Sequence, residues 1–324
     1  MTGPPADRVA AFRDDIGASP ASMARLLDMH ASVAAPAAVA APADPTRRVC
    51  LTGLGSSRFA ADIVAGALRA SGLLAWSELA SGGGRTAPSP DLTVVAVSAS
   101  GGTREVLEVV DRHRGVSHVV AVTNRADSPL AAAADEVHLL EAGIEASGIA
   151  CRTFRATLAV LALLGGIPLD HLREAPAALA ARLDHAATWV SAAADALDGA
   201  PAVDVLADAS IGGIAGQAAL MLREGPRLPA HAYETADWLH IGVYLAWPGH
   251  AVLRYPGSAA DGELDAVLGR RGVAPVDAPR RPPDGDAPGD LVAAAIVASI
   301  DAEVLAAELW SRTDATERER RAAE

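Results

Sequence analysis

Lysine is missing from this chain of 324 residues: its 27 basic positions are all arginine. A Schiff base through a lysine amine is therefore excluded from its chemistry. Cysteine is nearly as scarce. Cys50 and Cys151 are the only two, each inside an apolar stretch, and two thiols cannot build a disulfide framework or a metal cluster. Both are expected to be buried thiols in a reducing compartment. The nine histidines are scattered without metal-ligand spacing, so neither a metal nor a cofactor is expected. No apolar run reaches the roughly 18 residues that a membrane span requires. Met1-Thr2-Gly3-Pro4-Pro5 lacks the basic segment and apolar core of a secretion signal. The expectation is a cytoplasmic protein with no membrane partner.

What is present is apolar and acidic. Hydrophobic residues make up 51% of the chain and the mean hydropathy is +0.22, enough to bury sizeable cores and to exclude a disordered chain. The length suits two domains of about 150 residues. A net charge of −13 repels nucleic acid. An anionic ligand must then be held by local features rather than by the overall field.

The order of apolar runs predicts an α/β fold. Residues 7 to 34 have helical spacing, through Val9, Phe12, Ile16, Met23, Leu26, Leu27 and Met29. The alanine- and proline-rich stretch to Pro45 follows as a linker. From Arg47 the pattern becomes short β-branched runs alternating with helices: Val49–Thr52, Leu92–Val97, Val119–Val122 and Glu136–Leu140. Such runs imply a parallel sheet covered on both faces. Residues 150 to 165 read as a buried helix. A fainter second cycle starts after Gly199, with strands at Val203–Leu206, Ala251–Tyr255 and Gly272–Pro275, and helices at Ile214–Arg223, Gly262–Leu268 and Leu291–Trp310. The segment Glu224–Gly242 has no strong periodicity, and Ala278–Gly289 is expected to be an exposed loop. The boundaries expected are N-terminal helices and linker over 1–45, one doubly wound domain over 46–190 and a second over 191–324.

Two strand-to-helix turns are rich in glycine and serine. Backbone N–H groups and the helix dipole converge at such a turn, and open α/β sheets bind ligands there. Ser98-Ala99-Ser100-Gly101-Gly102-Thr103 offers three hydroxyls and free amides, a match for a phosphate monoester without any cationic side chain. Gly53-Leu54-Gly55-Ser56-Ser57 is a second turn of the same kind. A serine-rich turn can equally be only a helix cap, and both readings stand at this point. A dinucleotide site fits less well, because the turn at Gly53 lacks a third glycine.

Acid–base candidates lie further on. Glu224 ends an apolar helix before Gly225-Pro226, where partial desolvation would raise its pKa. His231, Glu234, Asp237 and His240 follow in a loop-rich segment, and histidine titrates near neutrality. A solvated surface glutamate and a satisfied core histidine are the plainer alternatives.

Gly53-Leu54-Gly55-Ser56-Ser57, Ser98-Ala99-Ser100-Gly101-Gly102-Thr103 and Ala142-Gly143-Ile144-Glu145 resemble the sugar isomerase (SIS) family, and within it the isomerase half of the glucosamine-6-phosphate synthases. Ala219-Leu220-Met221-Leu222-Arg223-Glu224 is similar to that group's Ala-Leu-Lys-Leu-Lys-Glu, and His240 falls where its Leu-Lys-His-Gly-Pro has histidine. The resemblance implies two SIS-type doubly wound parallel-sheet (αβα sandwich) subdomains in tandem that bind a hexose 6-phosphate, and a homodimer. It places Gly55, Ser56, Ser57, Ser98, Ala99, Ser100, Gly101, Gly102, Thr103 and Glu145 at the phosphosugar. Glu224 would move the proton between C1 and C2, and His240, from the neighbouring subunit, would assist ring opening. The reaction implied is aldose–ketose isomerisation, with or without coupled amination or deamination; the alternative is a phosphosugar sensor without turnover. Departures accompany the likeness: Ala99 replaces the usual glutamine, and Ala150-Cys151-Arg152-Thr153 blurs the family's Ala-Ser-Thr-Lys. No N-terminal cysteine nucleophile for glutamine hydrolysis is present in this chain, Ala207-Asp208-Ala209 replaces a Gly-x-Gly, and Arg320-Arg321-Ala322-Ala323 replaces Asn-Leu-Ala-Lys.

Overall fold

The structure, a computed structural model, describes residues 5–32, 48–82, 86–280 and 287–312. The expected linker up to Pro45 and the motif at Arg320–Ala323 lie outside the described residues, as does the middle of the proline-rich loop.

Two helices lead the described chain, α1 (Pro5–Gly17) and α2 (Ser19–Ser32). A first α/β cycle follows: β1 (Arg48–Gly53), α3 (Ser56–Ala70), β2 (Leu74–Leu79), β3 (Leu92–Val97), α4 (Arg104–His113), β4 (His118–Thr123), α5 (Pro129–Ala133), β5 (Glu136–Leu139) and α6 (Arg152–Leu164). Next come α7 (Ala175–Asp184) and α8 (Val190–Leu197). The second cycle contains β6 (Val203–Ala207), α9 (Gly212–Glu224), β7 (Ala230–Glu234), α10 (Thr235–Ile241), β8 (Ala251–Arg254), α11 (Asp261–Arg271), β9 (Val276–Asp277) and the long α12 (Pro288–Arg312).

The strands form two parallel sheets, ordered β2-β1-β3-β4-β5 and β7-β6-β8-β9. The α/β class with two doubly wound sheets is as expected. β3 is buried along its whole length and β4 all but its first residue, which is why their β-branched runs are continuous rather than alternating. In the first sheet α3 and α6 cover one face, with Val49, Leu51, Val95 and Val97. α4 and α5 cover the other, with Cys50, Val94 and Ala96. Chain order reverses between β1 and β3, so a crevice opens at their carboxyl ends.

One hydrophobic core runs from the first sheet to the second through α3, α6, α9 and α12. Helices α3 and α9 touch so closely that a Cβ on Gly213 would lie 2.3 Å from the Phe59 carbonyl. That contact ties the helix ending at Glu224 to the helix beginning at Ser56. α1 and α2 belong to the same core: Phe12 is fully buried and its ring lies 6.2 Å from that of Trp310.

Several expectations need correction. β2 was not predicted; it is an edge strand of mixed polarity and mostly half-exposed, so it carries neither a continuous nor a cleanly alternating pattern. The segment after Glu224 contains a strand and a helix, β7 and α10, whose exposed alanines and histidines blur any period. The weak strand at Gly272–Pro275 lies instead at β9, because Gly272 is the left-handed cap of α11. No described helix is long and apolar enough to cross a membrane.

Candidate phosphate seat and acid–base site

β1 and β3 run side by side in register, Thr52 opposite Ala96, so their turns stand together at the crevice. In the turn after β3 the Ser98 hydroxyl is buried, 2.8 Å from that of Thr103, and accepts the Gly101 N–H at 3.1 Å. Ser100 is exposed and its hydroxyl accepts the Gly102 N–H at 3.3 Å. Ala99 fixes the turn through its carbonyl, which accepts the Asn124 N–H at 3.1 Å and the Thr123 hydroxyl at 3.3 Å. Gly101 has φ +64°, and a Cβ there would fall 2.1 Å from the Ser128 hydroxyl. No other residue fits that position.

Thr103 is the N-cap residue of α4, yet its hydroxyl makes no capping bond, being turned to Ser98 instead. Gly55 caps α3 with φ +55° and no side-chain bond. The Ser56 and Ser57 hydroxyls are half-buried in the first turn of α3 and make no hydrogen bond to a described residue. Two helix N-termini thus face one crevice without a side-chain acceptor, which is the arrangement that receives an anion.

The second sheet provides the contrast. At the end of β6, Asp208 accepts the Ser210 N–H at 2.9 Å and the Ser210 hydroxyl at 2.7 Å. A carboxylate already fills the position where the first sheet is open.

Glu145 is placed differently from a free ligand residue. Its carboxylate accepts the N–H groups of Cys151 and Arg152, both at 2.6 Å, and of Thr153 at 3.3 Å, and the Thr153 hydroxyl at 2.7 Å. It closes the N-terminus of α6. Asn124 supports the same corner, donating to the Thr153 hydroxyl at 3.1 Å and accepting the Ala142 N–H at 3.3 Å. Asp15 of α1 accepts the Ala146 and Ser147 N–H groups at 3.3 and 2.9 Å and pairs with Arg152 at 2.9 Å. Neither Asp15 nor Asn124 was singled out from the sequence. Asn124 follows a strand directly, a weak signal; Asp15 carries none.

Glu224 ends α9, half-buried, with no hydrogen-bond or ion-pair partner among the described residues. Burial raises its carboxyl above the ordinary value; Arg223, Arg227 and Arg8 pull it back, and Glu145 adds to the rise. Arg8 donates to the Ser147 carbonyl at 3.3 Å and lies 5.6 Å over the Trp310 ring, which borders Gly225. His240 is exposed on α10, which lies against β6, β7 and α11. It has no partner among the described residues, and no hydrogen bond or ion pair joins it to the cradle or to Glu224. Cys50 and Cys151 are free and buried, and burial pushes the Cys50 thiol up to about 12, so it is a poor nucleophile. Among the described residues no cluster of histidine, cysteine and carboxylates could hold a metal.

Comparison with known proteins bears on the fold. Residues 45–165 match the model of the SIS domain family. The glutamine–fructose-6-phosphate aminotransferase (isomerizing) of Aeropyrum pernix is 32% identical over 178 residues. That stretch is 50% of this chain and only 29% of the relative. Among solved structures, the C-terminal domain of the glucosamine-fructose-6-phosphate aminotransferase of Francisella tularensis superposes with a TM-score of 0.72 at 15% identity, over 93% of this chain and 96% of that one. The tagatose-6-phosphate ketose/aldose isomerase of Escherichia coli gives 0.76 at 17% identity, over 93% and 92%. At these identities the structural likeness is one of fold.

Proposed function

We propose that the chain is a sugar-phosphate isomerase acting on a hexose or aminohexose 6-phosphate, by aldose–ketose isomerisation with or without coupled amination or deamination. The observation that carries this reading is the open anion seat between Ser98–Thr103 and Gly55–Ser57, whose helix N-termini have no side-chain cap. The phosphate would accept the first-turn amides of α4 and the hydroxyls of Ser100 and Thr103, with Ser56 and Ser57 on its other side. Glu224 would take the C2 proton of the open-chain aldose, leaving an enediolate. Return of that proton to C1, with proton transfer from the C2 hydroxyl to O1, gives the ketose. A carboxylate raised by burial suits both directions of this transfer.

The family resemblance supports a homodimer, in which His240 of one copy opens the sugar ring at the site of the other. Ile241, Tyr244, Leu245 and Trp247 beside it are each at least half exposed, and a second copy would cover them. The test is proton exchange in deuterated water, at C1 of fructose 6-phosphate and at C2 of glucosamine 6-phosphate. Exchange by the wild type and its loss in Glu224→Gln are expected; no exchange with either sugar sinks the reading.

A second reading is a sensor that binds the phosphosugar without turning it over. The complete absence of lysine and the engagement of Glu145 in capping α6 favour it. It is distinguished by ligand-induced thermal stabilisation with no exchange.

A further inference from the structure

At the foot of the second sheet, away from the phosphate seat, a buried carboxylate is hydrogen-bonded to two side chains and lies beside a third. Asp204, the second residue of β6, is 2% exposed. Its Oδ2 accepts the indole N–H of Trp238 at 2.8 Å and a hydrogen bond from Nε2 of His250 at 2.9 Å. A carboxylate has no proton to give, so His250 carries its proton on Nε2. Nδ1 of His231, opposite Asp204 in the β6–β7 register, lies 3.5 Å from Oδ1. Isolated buried carboxylates are costly, and this one is compensated by its donors.

Trp238 and His250 bracket one stretch of chain, and His240 lies within it. The stretch leaves the core at Trp238 and returns at His250, whose ring lies 6.4 Å from that of Trp247. Both ends are locked. Trp238 is fully buried, and a Cβ on Gly242 would fall 2.1 Å from its indole nitrogen; Val243 and Ala246 are buried in the same small core with Leu264 and Leu268. The outer side, with His240, Ile241, Tyr244, Leu245 and Trp247, is exposed. The segment is therefore a short presenting arm, and Asp204 is hydrogen-bonded to both its ends.

We infer that Asp204 is a positioning residue for His240: through Trp238 and His250 it fixes the arm that carries the imidazole to the site of a second copy. The inference rests on the isomerase reading above and on His240 as its ring-opening group. Trp238 is two residues from His240 on a helix of about two turns, so a shift of that helix at its buried indole moves the imidazole by a comparable amount. Misplacement of that order degrades proton transfer. The phosphate seat, built on the other sheet, is untouched.

The experiment is a double-mutant cycle on turnover of fructose 6-phosphate and glucosamine 6-phosphate, with thermal melts to confirm folding. Asp204→Asn and His240→Ala are made singly and together. Asp204→Asn is expected to lower kcat by about tenfold or more, a fraction of what a general acid–base group contributes, with KM nearly unchanged. Combined with His240→Ala it should cost nothing further. Trp238→Phe, which removes one donor and keeps the ring volume, should act in the same direction if Asp204→Asn does not fold. A loss that persists undiminished in the His240→Ala background overturns the inference, as does a damaging His240→Ala beside silent Asp204→Asn and Trp238→Phe variants. A silent His240→Ala, or a wild type without turnover, removes the isomerase assignment of His240 and the inference with it.

Discussion

The hydroxyls of Ser98 and Thr103 are 2.8 Å apart, and this pairing leaves the first turn of α4 without a side-chain cap. Had Thr103 bonded the first turn of α4, the amides there would be satisfied. Because its oxygen faces Ser98, they remain available to an anion. Ser98→Ala combined with Ser100→Ala should therefore weaken binding of a hexose 6-phosphate by at least about tenfold, since a hydrogen bond to a charged group contributes roughly 1.5–3 kcal/mol. Calorimetric titration measures it. Unchanged affinity in the double variant would place the phosphate elsewhere.

Glu145 separates a structural from a ligand role. Three backbone amides and one hydroxyl converge on its carboxylate at the N-terminus of α6, where a negative charge is also favoured by the helix dipole. Glu145→Ala should cost about 1 kcal/mol or more of stability, as loss of a helix cap does, even with no sugar present. Urea unfolding of the free protein checks this. A variant as stable as the wild type but defective in phosphosugar binding would return Glu145 to the ligand set.

How far the sequence revealed this arrangement depends on where each signal lies. β3 and β4 were legible because both faces are buried and all their side chains except Thr93, His118 and Thr123 are apolar. Edge strand β2 and the β7–α10 stretch were not, since Trp76, Glu78, His231 and Asp237 follow no single period. The turns at Gly55–Ser57 and Ser98–Thr103 announced themselves because conformation and chemistry coincide in consecutive residues. The capping role of Glu145 depends on a loop that folds back over six residues. The Asp204 node depends on partners 34 and 46 positions away. Contacts at that range leave no local pattern, so the seat could be read while its supports could not.

The position of Glu224 sets a pH dependence. Burial raises its carboxyl above the usual glutamate range despite Arg223, Arg227 and Arg8. A base must be deprotonated to act, so activity falls as pH drops through that raised value, and the acid limb of kcat/KM should lie above the ordinary glutamate range. Arg227→Gln removes one opposing cation and should move the limb further up. Profiles of C2-proton exchange between pH 4.5 and 8.5 report the shift. An acid limb that does not respond to Arg227→Gln would mean that another group controls it.

Stability has a pH dependence of its own, carried by α12. Asp301 pairs with Arg182 at 2.9 Å, and burial pushes its carboxyl up to about 7, with Arg182 opposing. Glu303 is bound by both terminal nitrogens of Arg155, each at 2.7 Å, and burial pushes it up to about 8 with Arg155 opposing. Unfolded, both titrate near 4. Between about 4 and 8 the folded chain thus holds more protons than the unfolded one, and stability falls as pH rises through that window. Their contribution is complete on the acid side and gone once pH exceeds both folded values. The melting temperature should accordingly decline from pH 5.5 to 8.5. Asp301→Asn removes one titrating group, while Arg182 keeps the carbonyls of Pro279 and Arg280 at 2.7 and 3.2 Å; its melting curve should therefore decline less steeply over the same range. Parallel slopes for wild type and variant would show that Asp301 is ionised throughout, held by Arg182 more firmly than burial opposes it.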